Sequence, residues 1–325
     1  MQNLLDPAIL FFVFGVLAGF AKSNLEIPPA ISRFLSLYLL MALGLKGGFA
    51  LSNSGLTPTV GAGLAAAVCL AVVVPLLGYW VLRRWVSGFD AAAVAATYGS
   101  VSAVTFVTAV QYLEHQQVPY GGHMAAAMAL MESPAIIMAV VLANALRQRA
   151  PTSQAHPSSK ASVSISKILH ESFTDGAQLL LLGAMCVGLI TGESGKAAMQ
   201  PFSGDLFKGM LSFFLLDMGL MTARNMSGVR GKSPWLIAYA VVGPVVHASV
   251  ALSLAGLLGL PVGDGALLMV LAASASYIAV PAVLRYAIPE ANASLYFGLS
   301  LGVTFPLNII VGIPSYVWVA QRVLG

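Results

Sequence analysis

Apolar runs, most of them about one bilayer thickness long, follow one another along the chain, cut by short polar punctuation. They fall at about 7–22, 31–51, 57–82, 91–113, 121–146, 176–191, 206–223, 234–258, 264–286 and 294–321. Crossing a hydrocarbon core of about 30 Å takes roughly 20 apolar residues in a helix, so the pattern predicts ten transmembrane helices. The runs lack the period-two alternation of outer-membrane strands, and a backbone that satisfies its own hydrogen bonds in lipid is helical. The first run has no basic segment before it, Asp6 ahead of it and Lys22 behind it, and is read as a first helix rather than a cleaved signal.

Composition agrees. Of the 325 residues 58% are hydrophobic and 9% charged, with a mean hydropathy of +0.86, whereas soluble domains carry about 25% charged residues. The expectation is a multi-pass protein of the cell (inner or plasma) membrane. Cys69 and Cys186 lie in apolar runs and suggest neither a disulfide framework nor a metal site.

The net charge of +4 does not indicate nucleic acid, because the basic residues sort by loop. With loops alternating sides, Lys22, Arg33, Arg83, Arg84, Arg147, Arg149, Lys160, Lys167, Arg224, Arg230, Lys232 and Arg285 share one side. Lys46, Lys196, Lys208 and Arg322 lie on or toward the other. An excess of Lys and Arg marks the cytoplasmic side, which places both termini outside and the Ser-rich linker 148–168 in the cytoplasm.

That linker separates two sets of five runs, and the halves resemble each other. DAAAVAATYGSVSAV from Asp90 runs beside DGALLMVLAASASYI from Asp264, placing Ser100 and Ser102 opposite Ser274 and Ser276. ESPAIIMAVV (132–141) lies beside TFPLNIIVGI (304–313), and Gly44 of LGLKGG matches Gly219 of MGLMTA. With an odd number of helices per half, the second copy enters the membrane inverted. The expected organisation is residues 1–147 and 169–325 as inverted five-helix repeats. Such repeats, with helices interrupted near the midplane, are characteristic of secondary transporters, whose sites lie at the repeat interface.

The interruptions are expected at GSVS in the fourth helix and SASYIAVP in the ninth, where Gly99 lowers helix propensity by about 1 kcal/mol relative to alanine and Pro281 removes a backbone donor. Half-helix N-termini suit a small anion, and carbonyl and hydroxyl oxygens suit a hard cation such as Na⁺. Taken singly, either stretch also fits close helix packing. Recurrence at symmetry-related places favours a site. Candidate anion contacts are Gly99, Ser100, Val101, Ser102, Ser274, Ala275 and Ser276. Candidate ion-coupling residues are Ser102, Thr105, Glu132, Ser276 and Tyr277, with Na⁺ placed near Ser102, Thr105 and Ser276.

Charges at membrane depth cost at least roughly 2.5 kcal/mol each, so pairing or function is expected of them. Glu132 is read as a coupling-ion ligand or proton acceptor, or else a structural cap. Lys46 either snorkels outward or pairs with Asp217, and His247 is either a neutral imidazole on a backbone carbonyl or a titrating gate. Tyr277 reaches the site with its hydroxyl or fills space. No P-loop, nucleophile–base pair or spaced metal-ligand set is present, so neither ATP-driven pumping nor catalysis has residues to support it.

At EIPPAISRFLSLYLL, LGLKGGFALSNS, YGSVSAVT, ESPAII with VVLAN, GPVVHA, LAASAS and LRYAIPEANAS, the sequence resembles the sodium-dependent bicarbonate transporter family of the SbtA type. The resemblance implies ten helices in inverted halves, a core moving elevator-like against a scaffold, a homotrimer, and a site between the breaks of helices four and nine. It also implies a cytoplasmic face that receives a PII-like regulatory protein. The family's ninth-helix aspartate is replaced by Tyr277, its Ser-Gly by Ala279 and Val280, its fifth-helix aspartate by Glu132, and Ala103 and Val104 stand where glycine and a small polar residue are usual. The function expected is Na⁺-coupled symport of bicarbonate or a related small anion. The alternatives are a membrane-embedded anion sensor or regulated scaffold, a passive anion channel, and a divergent member with another anion or coupling ion.

Overall fold

Prolines and short polar caps set where the helices begin. In a computed structural model of the protein, which describes residues 6–55, 57–149, 176–226 and 233–325, helix α1 (Pro7–Phe20) starts behind Asp6, whose carboxylate accepts the Ala8 N–H at 2.8 Å. Helices α2 (Pro29–Ser54), α3 (Pro58–Leu82) and a later helix, α9 (Pro234–Leu257), also open on proline, which has no N–H to leave unpaired there. The first half continues with α4 (Gly88–Gly99), α5 (Ala103–His115) and α6 (Met124–Arg149). The second half contains α7 (Gly176–Met199), α8 (Phe207–Asn225), α9, α10 (Val262–Ala273), α11 (Ala279–Ala287) and α12 (Ala293–Val323). The linker 148–168 lies outside the described residues apart from Gln148 and Arg149.

Among the described residues there is no strand, and seven helical stretches are long and apolar enough to cross a membrane. Shorter apolar helices are α1 and α10. Large apolar side chains such as Phe11, Phe14, Leu17, Leu76, Val242 and Val245 are exposed around the outside. Contiguous exposure of this kind is adverse in water and natural against lipid. The chain is an all-α membrane protein.

Two packing groups organise it. Helix α1 lies on α8 and α2 on α7, while α3 packs on α4 and α6, and α9 on α10 and α12. The first group is drawn together by glycines. A Cβ on Gly219 would stand 2.2 Å from the Phe12 carbonyl oxygen of α1, and one on Gly44 would stand 2.3 Å from the Leu181 carbonyl oxygen of α7. No other residue permits backbones that close.

The first turns of α4 and α10 each carry an aspartate that holds a distant chain segment. Asp90 accepts the Asn292 N–H at 2.7 Å, just ahead of α12, and Asp264 accepts the Gly121 N–H at 2.5 Å, just ahead of α6. Helix α7 bends at Gly192, whose φ of +53° lies in the left-handed region that glycine tolerates.

Candidate functional site

Helix α4 ends at Gly99 and α5 begins at Ala103, with Ser100 and Ser102 extended between them. Pro75 of α3 explains why the ending residue is glycine, since a Cβ there would lie 2.5 Å from the proline ring. Helix α10 ends at Ala273 in the same way, and α11 begins at Ala279 after Ser274 in extended conformation. Pro281 sits in the first turn of α11, where its missing donor costs little.

The two interruptions cross and bond to each other. Ser276 donates its N–H to the Thr97 carbonyl at 2.8 Å, and Ser102 donates its N–H to the Ser274 hydroxyl at 3.0 Å. The serine side chains cap the resumed helices: Ser102 Oγ accepts from the Thr105 N–H at 3.2 Å and the Thr105 hydroxyl at 3.0 Å, and Ser276 Oγ accepts from the Val280 N–H at 3.3 Å. Ser274 Oγ donates to the Leu271 carbonyl at 2.9 Å. Ser100 Oγ is fully buried and has no partner.

A cavity of about 260 Å³ lies against these breaks. Of the residues singled out in the sequence, Val101, Ser102, Glu132, Ser276 and Tyr277 line it, whereas Gly99, Ser100, Thr105, Ser274 and Ala275 stand behind that wall. Ala103 and Val104 of α5 and Ala279 of α11 also face the cavity, so two helix N-termini converge on it. Each carries about half a positive charge and N–H groups directed outward. Glu132 accepts a hydrogen bond from the Gln178 side-chain amide of α7 at the cavity wall. Tyr277 directs its hydroxyl at the Met218 Sδ, 3.7 Å away, with Ser102 and Asp217 as its polar neighbours.

Of the two alternatives for Lys46, the pairing with Asp217 fails. The lysine Nζ lies 3.0 Å from both Glu114 oxygens and 4.2 Å from the centre of the Phe207 ring. The long lysine stem reaches the end of α5, whereas Asp217 is halfway along α8 and 6% exposed. His247 is buried against the Ala272 backbone, and its Nδ1 has no partner. Cys69 and Cys186 are free and exposed.

Three polar residues of the site were not singled out in the sequence. Asn308 of α12 donates to the Ala273 carbonyl at 2.8 Å, satisfying the end of α10, and is itself bonded by the Tyr316 hydroxyl at 3.2 Å. Gln178 reaches Glu132, and Ser36 of α2 lines the cavity. Asn308 and Gln178 carried a signal, each an amide inside an apolar run, TFPLNIIVGI and GAQLLLLGAM; Ser36 carried none.

Comparison with known proteins gives one family match. The family model described as the Na⁺-dependent bicarbonate transporter superfamily matches residues 7–321. No curated protein matches the chain.

Proposed function

Because the chain belongs to the Na⁺-dependent bicarbonate transporter superfamily, we propose that it is a secondary active transporter carrying bicarbonate, or a related small anion, into the cell with Na⁺ as the coupling ion. One observation carries this most: two interrupted helices cross and aim their resumed N-termini and capping serines at a single cavity. Amides at those N-termini are suited to a delocalised anion. Hydroxyl oxygens of Ser102, Thr105 and Ser276 are suited to Na⁺, and Glu132 supplies negative charge at the same wall.

Ten crossings in two inverted halves, residues 1–147 and 169–325, belong to the same proposal. The stretch Gly176–Asn225 would run about 75 Å if straight, enough for two crossings, and it bends at Gly192. The paired aspartate tethers, the paired serine caps and the glycine contacts at Gly44 and Gly219 are what two related halves would produce. The two packing groups support an elevator movement of the helices bearing the breaks against α1, α2, α7 and α8. The Lys and Arg distribution supports a cytoplasmic linker 148–168 and both termini outside. The cavity extends to Ala177 in the first turn of α7, at the cytoplasmic end in that topology, which supports reading this as the inward-facing arrangement. A homotrimer and a PII-like cytoplasmic partner rest on the resemblance alone.

Uptake of radiolabelled bicarbonate into proteoliposomes, with and without an inward sodium gradient, tests the proposal. S102A and S276A are each expected to lose sodium-stimulated uptake by at least about ten-fold, the equivalent of roughly 1.4 kcal/mol at the site. Undiminished uptake by both variants would overturn the assignment.

A further inference from the structure

Asp217 is a carboxylate in the middle of α8, 6% exposed, and its Oδ2 is buried without a hydrogen-bond partner. An ionised carboxylate is adverse at such a place unless a cation or several donors meet it. Among the described residues no Lys or Arg forms an ion pair with Asp217. Lys46 is held by Glu114. Arg224 acts on Asp217 from two turns along the helix and sends a guanidinium N–H to the Leu25 carbonyl at 3.2 Å.

What does stand beside Asp217 is the second helix break. Met218, its chain neighbour, receives the Tyr277 hydroxyl at 3.7 Å, Tyr277 lines the cavity together with Ser102, and the charge of Asp217 acts on that phenol. The Tyr277–Met218 contact brings α8 up to the crossed breaks, so the Asp217 carboxylate is the charge that α8 adds beside the Tyr277 and Ser102 hydroxyls of the cavity wall. One charge and neutral oxygens fit a monovalent hard cation; a divalent ion would remain under-neutralised.

We propose that Asp217 is a further anionic ligand of the coupling cation, adding from α8, together with the Tyr277 hydroxyl, to the oxygens of Ser102, Thr105 and Ser276 named above. This rests on the symport reading above and adds to it that the cation bridges two helix groups. Asp217 belongs to the group in which α8 packs on α1, whereas Tyr277 and Ser102 belong to the breaks. Displacing one group against the other would take the site apart, so the cation favours the arrangement in which the cavity is lined as described.

Thermal unfolding of the purified full-length protein in detergent, titrated with NaCl at constant total chloride using choline, reads cation binding directly. The wild type is expected to show a sodium-specific rise in melting temperature. D217N is expected to shift the sodium midpoint upward at least ten-fold, Y277F several-fold, and D217E to restore part of the response. A sodium-responsive wild type with D217N and Y277F midpoints within two-fold of it overturns the role of Asp217 and leaves symport standing. A wild type indifferent to sodium overturns both. If D217N does not fold, Y277F, which removes only one oxygen, decides the matter.

Discussion

Ser100 keeps a fully buried hydroxyl with no partner, one residue past the end of α4. Leaving such a group unpaired costs about 1–3 kcal/mol, and under the proposed anion site Ser100 backs the first break from behind the cavity wall. S100A is therefore expected to leave the empty protein as stable as the wild type or slightly more so, while weakening anion uptake several-fold; the pair of readings is a melting temperature without substrate and a KM for bicarbonate. A melting temperature that falls with unchanged KM would make Ser100 structural. Serine and glycine at the breaks were legible because their types are so poorly suited to lipid-facing helix. Asn308 stood out only as an amide in an apolar run, and its role did not, because that comes from the Ala273 carbonyl, 35 positions away in the chain, and spacing along one helix carries no information about a partner on another.

Between helices, the closest approaches are set by single atoms. The Cβ built on Gly219 falls 2.2 Å from a backbone oxygen of α1, which neither helix can yield without separating. G219A is expected to lower stability by about 1–3 kcal/mol, the usual result of overpacking. Gly183 of α7 has nothing within 4 Å of an added Cβ, so G183A is expected to be neutral or to add up to about 1 kcal/mol through helix propensity. Detergent melting curves of the two variants check the contrast, and equal behaviour would mean that the α1–α8 contact is not close-packed. Apolar periodicity marked these helices well. It marked their faces too weakly to place Lys46, because a long flexible side chain chooses its partner in three dimensions.

Across the fold, Arg147 at the end of α6 clamps the segment after α11. Its Nε and Nη2 donate to Glu290 at 2.8 and 2.7 Å, and Nη2 also donates to the Ala287 carbonyl at 2.9 Å. These bonds hold the Glu290 carboxyl below its ordinary value of 4.5. A carboxyl with a lowered native value stabilises the fold above its ordinary value and loses that contribution as pH falls through the lowered one. E290Q is expected to be less stable than the wild type by about 1 kcal/mol or less at neutral pH, the range for a partly exposed pair. The difference should close as pH drops below 4.5 toward the lowered value; melting temperatures measured across that window provide the check, and a gap unchanged at acid pH would show that the pair's charge does not matter.

Chain order alone was enough for helix content, membrane residence and the two places where helices stop, since each follows from local chemistry: long apolar runs, and clusters of small hydroxyl residues that cannot face lipid. Five of the ten singled-out site residues line one cavity and five support it from behind, a division no linear pattern contains. The crossing of the breaks, the Lys46–Glu114 pair, the Tyr277–Met218 contact next to the unpartnered Asp217 Oδ2 and the Asn308 bond arise from contacts between segments far apart in the chain. Hydrophobicity assigns a residue to lipid or interior, but which interior groups meet is settled by how the helices pack.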